Sequence, residues 1–234
     1  MRNFSHVPAS NQSTDMNVRF TILLTILVLI TSTLGCTHES GFNKPRASAT
    51  NPPTNYDTER YAALSAIIRD MYIDDRTHLL VIEGADPCPS PQPATAPDAK
   101  VEEMRKQEEG YAFQKMTELA RETINDFHAR EKECRPLTNA LDVPINYVLV
   151  GSKDLEPLFP KGEFDRGWTR FYAKYPQSSG TIDFSNPGFN RDYTQAVVST
   201  GRWCGGLCGA GYFVLLTKDR GAWKVKTKIE TWVS

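Results

Sequence analysis

From Thr181 onward the chain offers four strand-like runs, Thr181 to Ser185, Thr194 to Trp203, Tyr212 to Lys218 and Trp223 to Trp232, parted by turns rich in Gly and Asn. Runs of β-branched and aromatic residues at this spacing specify an antiparallel meander, each strand pairing with its predecessor. In the last run Lys224, Lys226, Lys228 and Glu230 alternate with Val225, Thr227, Ile229 and Thr231, a period of two that leaves one sheet face wet. The dry face needs a cover, and the earlier part of the chain offers helices for it.

Tyr61, Leu64, Ser65, Ile68 and Tyr72 recur at helical spacing behind a capping region at Asn55 to Asp57, predicting an amphipathic helix over 57–73. The apolar run Leu79 to Ile82 predicts a buried strand. Residues 84–97 carry Pro87, Pro89, Pro91, Pro93 and Pro97 and read as an extended surface loop. The longest helical pattern runs from Asp98 to about Glu133, with Ala112, Met116, Leu119, Ala120, Thr123 and Phe127 on its apolar stripe. Ile145 to Val150 predicts another strand. Trp168, Phe171, Tyr172 and Tyr175 predict a short helix whose aromatic residues pack in the core. The expected fold class is α+β: helices in the N-terminal half, the long one on the dry face of a C-terminal four-stranded antiparallel β-meander, with 56–234 as one globular domain.

Two segments precede that domain. Arg19 is followed by the apolar run Phe20 to Ile30, then by Thr31 to Gly35, and the run ends at Cys36. A basic residue, a short apolar stretch and small residues make a secretory leader, too short for the ~20 residues of a membrane-spanning helix. Residues 1–35 are read as leader and signal peptide, with Met16 as the expected start because 1–15 are polar and place Asp15 where a basic stretch belongs. Thr33-Leu34-Gly35-Cys36 resembles the lipobox of bacterial lipoproteins, whose peptidase cuts before an acylated cysteine. That resemblance implies lipidation at Cys36 and a membrane partner held through an N-terminal lipid anchor. Thr33 stands where the box prefers leucine, so plain secretion is the alternative, with an uncleaved signal anchor behind it. Residues 36–55, dominated by Pro, Asn, Ser and Thr, read as a disordered tether.

Four cysteines remain, an even number in an exported chain, and predict two disulfides. Three pairings are open. The preferred one joins Cys88 to Cys134, pinning the Pro-rich loop to the end of the long helix, and Cys204 to Cys208, closing a Gly-rich loop. The 27 Lys and Arg are interspersed with 28 Asp and Glu, which excludes the clustered basic face of a nucleic-acid binder. The four histidines, His6, His38, His78 and His128, make no ligand pattern, and the HExxH, GxSxG and Walker signatures are absent, so no catalytic residue, metal or cofactor is expected. Glu83 and Asp86 at a strand end, with Asp183 or Asp192 across the fold, form the one acid–base set considered. A solvated surface is the preferred reading of all four.

The unusual stretch is Trp203-Cys204-Gly205-Gly206-Leu207-Cys208-Gly209-Ala210-Gly211. Structurally, its glycines supply positive φ angles to a strand connection that the cysteines staple. Functionally, Trp203, Gly205, Gly206, Gly209 and Gly211 form a candidate ligand loop offering backbone amides, and a redox thiol pair is a further option. This loop, with Tyr175-Pro176, Gly180, Phe184-Ser185, Gly188-Phe189-Asn190, Gln195-Ala196 and Trp223-Lys224-Val225, resembles a group of exported bacterial proteins without assigned activity. The hairpin around Gly221 and Trp223 is similar to the final hairpin of nuclear transport factor 2-like cone folds, the alternative architecture. The expected function is that of a bacterial cell-envelope lipoprotein with a non-enzymatic binding or scaffolding domain. Its alternative is an envelope enzyme, a hydrolase or thiol-redox protein, acting through the Cys204 and Cys208 loop.

Overall fold

The computed structural model describes residues 55–88 and 99–234; the expected leader, Cys36 with its expected lipidation, the expected tether and part of the Pro-rich loop lie outside the described residues. Helix α1 (Tyr56–Met71) begins where the Asn55 side chain accepts the Asp57 N–H at 3.1 Å, as a helix cap should. Among the described residues seven strands follow: β1 (Leu79–Glu83), β2 (Asn146–Val150), β3 (Ser178–Phe184), β4 (Gly188–Phe189), β5 (Gln195–Trp203), β6 (Gly209–Asp219) and β7 (Ala222–Val233). They form one mixed sheet in the order β2-β1-β3-β5-β6-β7, with β4 also paired to β5.

The four strands expected after residue 180 are present as β3, β5, β6 and β7, joined antiparallel. The last two turn through Arg220 and Gly221, both at positive φ, as a two-residue type I′ hairpin requires. The expectation of a sheet confined to those four is corrected: β1 lies between β2 and β3 and runs parallel to both. The cause is burial. Leu80, Val81 and Ile82 are fully buried, and a strand apolar on both faces belongs in a sheet interior.

The single helix expected over 98–133 is also corrected, to α2 (Ala99–Lys115) and α3 (Arg121–Arg130). Gln195 of β5 stabilises the break. Its Oε1 accepts from the Ala120 N–H at 2.7 Å and the Thr123 hydroxyl at 2.9 Å, and its Nε2 donates to the Glu118 carbonyl at 2.9 Å. Backbone groups freed by the interruption therefore find a partner on the sheet.

One sheet face is covered by α1, whose Leu64, Ile67 and Ile68 share a core with Leu80, Ile182, Val198 and Val214. The opposite face has two separate covers. At one end Ala112, Met116 and Phe127 of the α2–α3 segment pack on Val197, Phe213 and Leu215. At the other, α4 (Ser152–Leu155) and a 3₁₀ turn (Glu156–Leu158) lead into α5 (Phe164–Lys174), whose Trp168 and Phe171 pack on Val81 and Val150. The expected dry face of β7 is split between these cores. Val225 joins the α1 side and Ile229 the other, because a bulge between Leu215 and Leu216 shifts the alternation by one residue.

Candidate functional site

Between the two covers the strip of sheet is filled by side chains of the sheet itself. Asp183 pairs with Gly201, Gly201 with Gly211 and Gly211 with Trp232, making one row across four strands. Glu83 extends that row, since it follows Ile82 as Asp183 follows Ile182 and the two isoleucines are register partners. The two glycines are needed for close approach. A Cβ at Gly211 would overlap the Trp232 indole, and one at Gly201 would lie 2.6 Å from Asp183 Oδ1 and 3.4 Å from Trp232 Cζ2. Trp232 thus folds back over bare backbone to reach Trp203, with ring centroids 4.3 Å apart and planes 30° from parallel.

Beside that pair opens a cleft of about 280 Å³, with Trp203 on one side, Phe159, Phe164 and Trp168 on the other, and Glu83 and Thr181 between them. Phe164 and Trp168 stand one turn apart on α5, so helix geometry alone presents both rings to the same space. Trp168 packs edge-on against Phe159 and Phe171, each at 5.2 Å. It is 9% exposed, and its Nε1–H has no hydrogen-bond partner among the described residues. Trp203 is the opposite case, a large indole left 39% exposed.

The carboxylates at the cleft are tuned by burial. Desolvation pushes the Glu83 carboxyl above its ordinary value; the Thr181 hydroxyl opposes this, and the neighbouring negative charge of Asp183 reinforces it. Burial likewise pushes Asp183 up, and its Oδ1 is buried without a hydrogen-bond partner among the described residues. Both groups therefore hold protons in the fold that the unfolded chain has already released. Their contribution to stability is greatest in acid and falls as pH rises through the folded values. Asp183→Asn, similar in shape but uncharged, is expected to raise Tm at neutral pH and flatten this slope. Thermal unfolding from about pH 4 to about pH 8 measures both; an unchanged slope would show that Asp183 is not the source.

The cysteines form two disulfides, Cys88–Cys134 with Cα atoms 5.6 Å apart and Cys204–Cys208 with Cα atoms 5.1 Å apart. As a disulfide the second pair holds no free thiolate. Its loop is closed by the Cys204 N–H donating to the Cys208 carbonyl at 2.7 Å, and Tyr172 of α5 donates to the Cys204 carbonyl at 2.9 Å. Positive φ falls at Gly205, not at Gly206 or Gly209. Gly206 instead lies beside Phe164, and Gly209 and Gly211 lie under Trp232. The predicted ligand loop is therefore the rim of the cleft, with Trp203 as the member that lines it.

The four acidic residues considered together are separated by the fold. Glu83 meets Asp183, whereas Asp86 accepts the Ser152 N–H and hydroxyl at the start of α4, bonds that hold its carboxyl below the usual range. Asp192 sits in the turn before β5 and does not line the cleft. Tyr212 points to the other sheet face and shares a smaller cavity of about 180 Å³ with Arg202 and Lys228. A larger cavity of about 420 Å³ lies along α1, where Arg69 is already paired with Asp142. Trp168 packs in the core as its spacing predicts and also lines the cleft, which the sequence does not signal; nor does it signal Trp232, which backs Trp203 through two glycines in neighbouring strands. In comparisons with family models, curated proteins and solved structures, none matches this chain.

Proposed function

We propose that this is an exported, non-enzymatic binding domain, tethered to a bacterial membrane by lipid on Cys36, that takes its ligand in the cleft between α5 and the Trp203–Trp232 pair. The observation that carries the reading is Trp203: a protein that buries Phe127, Phe171 and Trp223 leaves this indole 39% exposed beside a second, unsatisfied indole. Exposed aromatic surface in a concave site with a few polar groups is the general character of a ligand pocket. Two disulfides support export, and no helix among the described residues is long and apolar enough to cross a membrane. Glu83, a carboxyl lining the cleft that burial pushes above its ordinary value, favours a second reading, acid–base hydrolysis in the same cleft instead of chemistry at Cys204 and Cys208.

Two measurements test the proposal. Cys36→Ala is expected to move the protein out of the membrane fraction and remove the acyl mass; unchanged fractionation and processing would overturn the anchor. In saturation-transfer NMR, the neutral aromatic probe benzyl alcohol is expected to contact the wild-type domain and to lose most of that signal in Trp203→Ala. Equal transfer in both would overturn the cleft.

A further inference from the structure

We infer that the ligand class of this cleft is a glycan: one sugar ring lies against the Trp203 indole and presents hydroxyls to Glu83. The inference rests on the binding cleft proposed above and adds what fills it. The cleft is amphipathic in a particular way, with flat aromatic walls beside the Glu83 carboxyl, which the buried Thr181 hydroxyl supports. A sugar ring is built to the same plan, with an apolar C–H face and a hydroxyl perimeter. The indole face carries negative partial charge and attracts the slightly positive C–H groups, while a carboxyl group accepts from hydroxyls or, when protonated, donates to them.

Further observations weigh against the neighbouring classes. No Lys or Arg lines the cleft among the described residues, so a phosphate or carboxylate ligand would face Glu83 uncompensated. A wholly apolar ligand would cover the Glu83 carboxyl and leave it the Thr181 hydroxyl as its partner and nothing from the ligand, which disfavours it. No three His, Cys, Asp or Glu among the described residues are placed to hold a metal ion, and Glu83 is the carboxyl residue lining the cleft. Both rims, Trp203 and Phe164, are partly exposed, so a chain longer than the seated ring has an exit to solvent. Asp183 lies behind Glu83 and does not line the cleft; it is a positioning residue that adds to burial, the larger cause, in pushing the Glu83 carboxyl above its ordinary value.

The test is titration of the whole mature protein with tri-N-acetylchitotriose and with cellotriose, followed by tryptophan fluorescence and calorimetry. At least one trisaccharide is expected to bind saturably, about tenfold more weakly in Trp203→Ala. Glu83→Gln is expected to weaken binding severalfold without lowering Tm. Asp183→Asn is expected to shift the pH profile of binding and not its maximum. If Trp203→Ala fails to fold, Phe164→Ala at the opposite, more exposed rim is the substitute and is expected to weaken binding as well. Binding undiminished in both rim variants would overturn the inference. So would the absence of trisaccharide binding while benzyl alcohol still distinguishes wild type from Trp203→Ala; the cleft would then stand and the glycan would not. If neither probe contacts the cleft, both fall together.

Discussion

Glu59→Ala is expected to lower folding stability by about 3–5 kcal/mol, a large share of the margin of a domain this size. Glu59 is 7% exposed in the first turn of α1, and its two carboxylate oxygens each accept from Lys218 Nζ at 2.7 Å. Oε2 also accepts from Trp223 Nε1–H at 2.6 Å. The Lys218 ammonium in turn lies 5.1 Å from the centroid of the Trp223 ring, so three side chains tie α1 to the β6–β7 hairpin. Removing the carboxylate leaves an ammonium and an indole N–H in poorly solvated positions, and that uncompensated polarity dominates the loss. Two controls isolate it. Glu59→Gln, which keeps an acceptor for Trp223, is expected to lose less, and Lys218→Met introduced into Glu59→Ala is expected to recover part of the loss. Urea unfolding with an unchanged m-value measures each. A loss below about 1 kcal/mol for Glu59→Ala would show that water enters and replaces the carboxylate.

The second large effect is expected from the disulfide bridging Cys88 and Cys134, which are 46 residues apart in sequence. On the chain-entropy estimate a closed loop of that length contributes about 4 kcal/mol, and measured values cluster somewhat lower. The loop encloses α2 and α3, the whole cover over Val197, Phe213 and Leu215. The double substitution Cys88→Ser with Cys134→Ser is therefore expected to cost about 3–4 kcal/mol. Cys204→Ser with Cys208→Ser, across a separation of 4, is expected to cost at most about half as much. Thermal unfolding of the two serine pairs decides the order. Equal losses would mean that loop length is not what governs them, and that local packing around one of the bridges is.

Local signals in the sequence locate most elements because those elements are decided locally. The Asn55 cap, the α1 stripe and the four terminal strands follow from period and turn chemistry, and the structure places them within a few residues of the expected bounds. What periodicity hides is decided by residues far apart. The break between α2 and α3 is held by Gln195, some 70 residues downstream, and the seat of β1 beside β3 joins segments about 100 residues apart. The site divides in the same way. The Gly- and Cys-rich stretch stands out by composition, and Trp203 with it. Glu83 can be named as a candidate from its position at a strand end and Asp183 as a partner across the fold, but only parallel pairing of β1 with β3 makes them neighbours. Trp168 has the spacing of a core residue, and nothing in its own helix distinguishes a core face from a cleft wall.

The stacking of Trp203 on Trp232 also has an optical consequence. Two indoles this close exchange excitation, so their electronic transitions are no longer independent and produce a paired positive and negative band in circular dichroism. Of the protein's four tryptophans, Trp223 is buried away from this pair on the α1 side, so the split band reports the cleft rather than the molecule as a whole. Its amplitude is an intrinsic gauge of whether the C-terminal segment still lies over Gly211 when the rest of the domain remains folded, without any added label.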